Sequence, residues 1–367
     1  MASMIDWDVA VATARQFMRP GPDVSWQEAH DVVDELRALV PVAEGHVSEF
    51  TGLRNPSPDG GAVAVVDRIG WVQANLEGFQ ILLEPLAAKL VERKGEPTGL
   101  NKVVLPKIAG AQVGTVLSYL ASRVLGQYEL FIPPGQGTGR LTLVAPNIVA
   151  TERKLDVDPH DFRLWVTLHE VTHRTQFTAV PWLRPYFTEQ VRAYVDASEI
   201  DPAELFARLR AAATAVRGAI GNDDDALSVV DALQTPAQRA ILARLTGLMS
   251  LIEGHGDFVM DGVGPAVVPT AVLIRERFQE RRAGAGPLDR MVRKLLGLDL
   301  KMKQYEEGAR FVRHVVGAVG MSGFNAVWTS PDTLPSIEEI RAPQHWLDRV
   351  APAAGGGVVA GAEDARS

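Results

Sequence analysis

The residues with the clearest chemical potential lie in "TLHEVTHRTQF", residues 167–177, where His169, Glu170 and His173 form the pattern HExxH. On a helix, residues four apart stand one turn along and roughly 40° around the axis, so the two imidazoles can converge on one ion. Glu170 projects to the side of that pair, where it can reach a water held by the ion without being a ligand itself. These are the parts of a hydrolytic zinc centre. The competing reading is two hydrogen-bonded histidines on an ordinary buried helix.

A third donor is available downstream in "LMSLIEGHGDFVMD". Glu253 would complete a His, His, Glu set and leave a fourth position for water. Asp257, one helical turn further on, could accept a hydrogen bond from a ligand histidine and fix its orientation. His255 competes with Glu253 for the third place. On an ideal helix the two stand roughly 160° apart, so they serve the same ion only if Gly254 and Gly256 break the helix. The chain has no cysteine, so any metal must use His, Asp or Glu, and thiolate sites and disulfides are excluded together.

Both segments need helices to present them. "DVDPHDFRLWVTLHEVTHRTQF" opens with Asp158 as N-cap and Pro159 at the first helical position, which predicts a helix from there to about Phe177. Helix signals dominate elsewhere. "SWQE" (residues 25–28) is a capping box before an amphipathic run to about Val40, and "DPAELFARLR" and "TPAQRAILARL" each place an N-cap before proline. Two β-type runs, "YELFI" at 128–132 and "RLTLVAP" at 140–146, flank a glycine-rich loop and read as a hairpin or neighbouring strands. The loop lacks the spacing of a phosphate-binding motif. The expected fold is mainly α with a small β element beside the motif helix, one domain over 1–350 and a disordered small-residue tail over 351–367.

Net charge and the N-terminus restrict the setting. A formal charge of −8 disfavours nucleic acid and anionic membranes as partners. The first residues carry acids and no secretory pattern, so the cytoplasm is expected. "IAGAQVGTVLSYLAS" (108–122) is uncharged but shorter than the run of about 20 that spans a bilayer, and its Gly110 and Gly114 suit close helix packing. It reads as a buried helix. Arg275, Arg277, Arg281 and Arg282 could receive an anionic substrate, but the interspersed Glu276 and Glu280 favour a solvated helix face.

"LHEVTHRTQF", "SLIEGHGDFVMD", "KQYEEGARFV" and "NAVWTSPDTLPSIEEIRAP" together resemble a zincin-like family of bacterial proteins provisionally labelled hydrolases, one branch of which is associated with deazaflavin coenzyme biosynthesis. The likeness runs from Trp7 to Val350. More distantly the E-G-x-x-D context is similar to gluzincin metallopeptidases, which implies a zincin-like fold, a Zn2+ cofactor and Glu253 as third ligand. About 80 residues separate the two motifs, much more than in thermolysin-like enzymes.

The expected activity is that of a metallopeptidase-like hydrolase acting on a peptide or amide, with Glu170 as general base. A donor for the tetrahedral oxyanion is also required. Tyr305 and Arg310 in "KQYEEGARFVRH" are the candidates, with His314 behind them, although they read equally well as the polar side of an amphipathic helix. The alternative function is a zincin-shaped binding or scaffold protein with a structural metal.

Overall fold

The computed structural model describes residues 4–56, 61–94, 99, 101–133, 135, 137, 139–197, 210, 236–283 and 298–355. The fold is mainly helical with a small three-stranded mixed sheet. α1 (Trp7–Phe17) and α2 (Trp26–Thr51) lead into β1 (Ala62–Val66), α3 (Arg68–Lys94) and α4 (Asn101–Ala121). The hairpin β2 (Gly126–Glu129) and β3 (Arg140–Val144) follows, then α5 (Ala145–Leu155), α6 (Pro159–Ala179) and α7 (Leu183–Ala197). The long α8 (Pro236–Val267), α9 (Ala271–Ala283), α10 (Leu298–Phe324), two 3-10 turns, α11 (Ile337–Arg341) and α12 (Pro343–Gly355) complete the described chain.

The anticipated hairpin is present two residues earlier than its sequence signal at the first strand, with Tyr128 paired to Leu141. β1 was not anticipated. It pairs in parallel with β3, giving the order β1-β3-β2 and placing β3 in the centre with Leu141, Leu143 and Val144 fully buried. The run "AVAVV" is short and made largely of small residues, and its partner lies far along the chain, so local pattern carries little of this pairing.

α2 begins at the Ser25 cap, whose hydroxyl accepts from the Glu28 amide at 3.1 Å. It continues past the expected end at Val40, through Pro41, because Ala43 and Val47 stay buried on its inner face, and it stops at Gly52 in a left-handed conformation. "DPAELFARLR" lies outside the described residues save Arg210. The segment from residue 351, expected to be a tail, is helical as far as Gly355, and residues 356–367 lie outside the description.

Close backbone approach recurs. Gly110 and Gly114 of α4 face Asp6, Ala10 and Thr13 of α1, where a Cβ would collide with backbone carbonyls. Among the described residues α4 is the one helix long and apolar enough to cross a membrane by length and composition. Ala109, Val113, Leu117 and Ala121 pack with α1 and α3 in the core, while Val103, Val104, Leu105 and Ile108 are exposed.

α8 crosses α10 in the same way. Gly254 lies directly against Gly308, and a Cβ at Gly308 would overlap the Ser250 carbonyl. Neither Gly254 nor Gly256 breaks α8, which is continuous through both.

Gly308→Ala should therefore destabilise the protein by about 1–3 kcal/mol through overpacking. Gly317→Ala on the same helix, where nothing lies within 4 Å, should be neutral or slightly stabilising. Denaturant unfolding of the two variants checks the contrast in sign.

Candidate metal centre

α6 carries the HExxH residues, and its ends are fixed before the site is built. The Asp158 carboxylate accepts from the Asp161 amide at 2.9 Å and Pro159 opens the first turn, as the sequence predicts. Asp161 in turn accepts from the Thr270 amide (2.9 Å) and hydroxyl (2.6 Å), tying the helix start to the α8–α9 turn. Arg163 makes a two-point pair with buried Glu152 of α5 (2.6 and 3.0 Å) and a second pair with Glu35 of α2. A bidentate guanidinium–carboxylate pair holds orientation as well as distance, so α6 is locked in rotation.

That rotation sets His169 and His173 edge to face, with centroids 4.6 Å apart and the rings at 88°. Their Nε2 atoms are 3.1 Å apart. Glu253 enters from α8 with Oε2 3.7 Å from His173 Nε2, and one donor atom from each of the three lies within 4.8 Å of the others. Two donors bound at 2.0–2.1 Å to one tetrahedral ion stand roughly 3.3 Å apart. Facing imidazole nitrogens at the observed distance need a proton or a cation between them, and the set of two nitrogens and one carboxylate fits a divalent ion.

The orientation of His173 comes from Gln176, three residues on. His173 Nδ1–H donates to Gln176 Oε1 at 3.0 Å, which leaves Nε2 as the donor toward the site. The Gln176 amide nitrogen then donates to the Ile252 carbonyl and to His255 Nδ1, both at 2.9 Å. Gln176 thus couples the two motif helices and orients the ring of His173. Asp257 is half-buried one turn beyond Glu253, and its charge favours the protonated form of His173.

His255 is not part of the cluster. It is fully buried, stacked on Phe324 (5.5 Å, 9°) and edge-on to Trp328, and its Nε2 finds no partner among the described residues. Burial, together with the charge of His173, pushes its pKa down to about 3, so it stays neutral. Because α8 is unbroken, Glu253 and His255 occupy different faces, and Glu253 is the one that meets the imidazoles.

Glu170 sits 7% exposed beneath the β2 edge. The space for it is Gly126: a Cβ there would lie 2.7 Å from Glu170 Cγ and 2.9 Å from Cδ. Burial, with a smaller contribution from Glu253, pushes its pKa up to about 7 against the opposing pull of His173. At His173 burial opposes the charge, yet Glu253, Glu170, the Gln176 hydrogen bond and Asp257 outweigh it and raise the pKa above the usual imidazole range.

These residues form one end of a cavity of about 420 Å³ between α3, β2, α6, α7 and α8. Arg310 does not line it. α10 buries Gly308, Ala309, Phe311 and Val312, which turns Arg310 and His314 to solvent. The side chain of Tyr305 lies outside the described residues. Tyr128, whose ring stacks on Phe177, does line the cavity. Arg275 pairs with Asp261 on α8 and Arg277 is exposed, both away from the cavity, and the side chains of Arg281 and Arg282 lie outside the described residues. Sequence reasoning missed Gln176, Gly126 and the cavity wall. The spacing of Gln176 from His173 could have revealed the first, whereas the others depend on packing.

A helix bearing HExxH against a small mixed sheet, with a carboxylate supplied by a second helix, defines a zincin-type arrangement. Residues 5–347 match the family of zincin-like metallopeptidases. The chain is 33% identical to a crystal structure from Chloroflexus aurantiacus, described as that of a provisional hydrolase with a novel fold, over 94% of this chain and 98% of that one, with a TM-score of 0.66. No curated protein matches it significantly. The chain belongs to the zincin-like metallopeptidase family.

His169→Ala, His173→Ala and Glu253→Ala should each lose most bound metal, while His255→Ala retains it, as read by elemental analysis of protein purified without a histidine tag. Coordination requires neutral His173, whose pKa is raised. Metal affinity should therefore be full above that raised value and fall as pH drops through it, which a competition titration at several pH values would check.

Proposed function

We propose that the protein is a zinc-dependent hydrolase that cleaves an amide or peptide bond, with His169, His173 and Glu253 holding the ion and Glu170 as general base. The observation that carries this reading is Glu170: a carboxylate buried beside two imidazoles and lining a cavity. A purely structural ion has no use for such a group, and isolating a carboxylate in this way is costly. Net charge and the cavity's size suit a small uncharged substrate in the cytoplasm better than nucleic acid.

A bound zinc ion supplies a Lewis acid that polarises the substrate carbonyl and acidifies water. Glu170, with a pKa pushed up to about 7, is balanced between accepting and releasing a proton near neutrality. It takes one proton from water as oxygen attacks the carbonyl carbon. It returns that proton to the nitrogen as the carbon–nitrogen bond breaks, leaving a carboxylic acid and an amine. Gly126 holds the carboxylate in reach, and Gln176 keeps His173 Nε2 directed at the ion.

Glu170→Gln should keep stoichiometric zinc and an unchanged unfolding midpoint yet lower turnover by roughly a hundredfold or more. Mass spectrometry of a peptide and amide mixture finds the substrate first, each cleavage adding one water. In a deletion strain neither Glu170→Gln nor His169→Ala should restore function. Rescue by Glu170→Gln but not by His169→Ala would make the metal structural and the protein a scaffold.

A further inference from the structure

The cavity has two chemically distinct ends. One holds the Nε2 atoms of His169 and His173 with the carboxylates of Glu170 and Glu253. The other is walled by Phe79 and Leu82 of α3, Phe131 after β2, Phe187 of α7, and Met249 and Ile252 of α8. Phe187 packs against both Phe131 and Phe177, with centroids 6.2 Å apart in each case, so the aromatic wall is a continuous surface.

Several polar groups along that wall are engaged within the protein. Asn75 Nδ2 donates to the Trp71 carbonyl, and Gln127 Oε1 accepts from the Trp71 indole, both at 2.9 Å. Glu129 is held by Arg140 and by the Thr142 hydroxyl, and the Leu130 carbonyl accepts from Arg184. The lining contains no lysine or arginine. Away from the ion itself, a substrate carboxylate or phosphate would therefore meet no lining lysine or arginine to compensate its desolvation.

We infer that the cavity selects an amide substrate carrying one bulky, uncharged apolar group, aromatic or long aliphatic, beside the scissile bond. This rests on the metallohydrolase reading of the same site and adds the substrate class. At about 420 Å³ the space is near the small end of ligand cavities, so the substrate is a short peptide or small amide seated with its apolar arm against α3, α7 and α8. Burial of that arm on the aromatic wall supplies affinity and sets the carbonyl at the His169–His173–Glu253 end.

Hydroxamates, which chelate zinc, test this by binding, independently of turnover. Zinc-loaded protein is titrated calorimetrically with acetohydroxamate, 3-phenylpropanohydroxamate and the monohydroxamate of succinic acid. The phenyl compound should bind on the order of tenfold to a hundredfold more tightly than acetohydroxamate, from burial of one aromatic ring. The succinate compound should show no gain. In Met249→Asp and in Leu82→Asp, on opposite walls, the phenyl-to-methyl affinity ratio should fall toward one, while Arg277→Ala on the exposed face of α9 keeps it.

Acetohydroxamate binding with no phenyl gain overturns the inference and leaves the metallohydrolase reading standing, as does a preference for the succinate compound. A phenyl gain that survives both wall variants overturns it as well. Failure of zinc-loaded protein to bind any of the three removes the metallohydrolase reading, and the substrate class with it.

Discussion

The site depends on how closely backbone can approach the motif helix. A helix offers two imidazoles and a carboxylate on one face only if its neighbours leave that face uncrowded while still excluding bulk water. Glycine meets both demands. Gly126 in β2 vacates the volume that the Glu170 side chain fills, and Gly256 in α8 lies 3.3 Å from His173 Cε1 when a Cβ is placed on it. Gly254 and Gly308 let α8 and α10 cross at backbone contact, and Glu253, beside Gly254 on α8, meets the imidazoles of α6. At this density a methyl group at Gly254 or Gly308 would move a helix, whereas at Gly126 or Gly256 it would displace the side chains of Glu170 or His173.

Charge explains what such a constellation requires. Glu170, Glu253 and Asp257 all act on His173, and without a cation the local balance is negative in a poorly solvated place. Burial, helped by Glu253, raises the pKa of Glu170, and the surrounding carboxylates raise that of His173 against its burial. A divalent ion offsets that negative balance. Outside this centre several buried charges are paired within the protein. Arg163 with Glu152 and Glu35, and Arg140 with Glu129, are internally paired and anchor the elements that flank the site. Paired charges hold the scaffold, and the incompletely paired carboxylate faces the cavity.

Gln176 links these two layers. Its side chain meets His173 on its own helix and both the Ile252 carbonyl and His255 on α8. His255 would otherwise be an unexplained buried histidine. It accepts from Gln176 while its ring completes the aromatic stack with Phe324 and Trp328. The imidazole that competes with Glu253 on paper is thus the part of the core that fixes the amide orienting a ligand candidate.

The sequence by itself determined the local pieces. The Asp158-Pro159 start, the four-residue spacing of His169 and His173, the adjacent Glu170 and the hairpin strands are short-range properties, written in residue type and period and borne out by α6 and by β2–β3. Glu253 was legible as a candidate, since its segment offered few donors. Only the tertiary structure shows Glu253, rather than His255, beside the two imidazoles, because that turned on whether α8 stays helical through two glycines. It also decided the parallel pairing of β1, the position of Arg310 on the solvent face and the aromatic wall of the cavity. Each of these is a contact between segments far apart in the chain, and a local pattern cannot encode which distant surface a residue will meet.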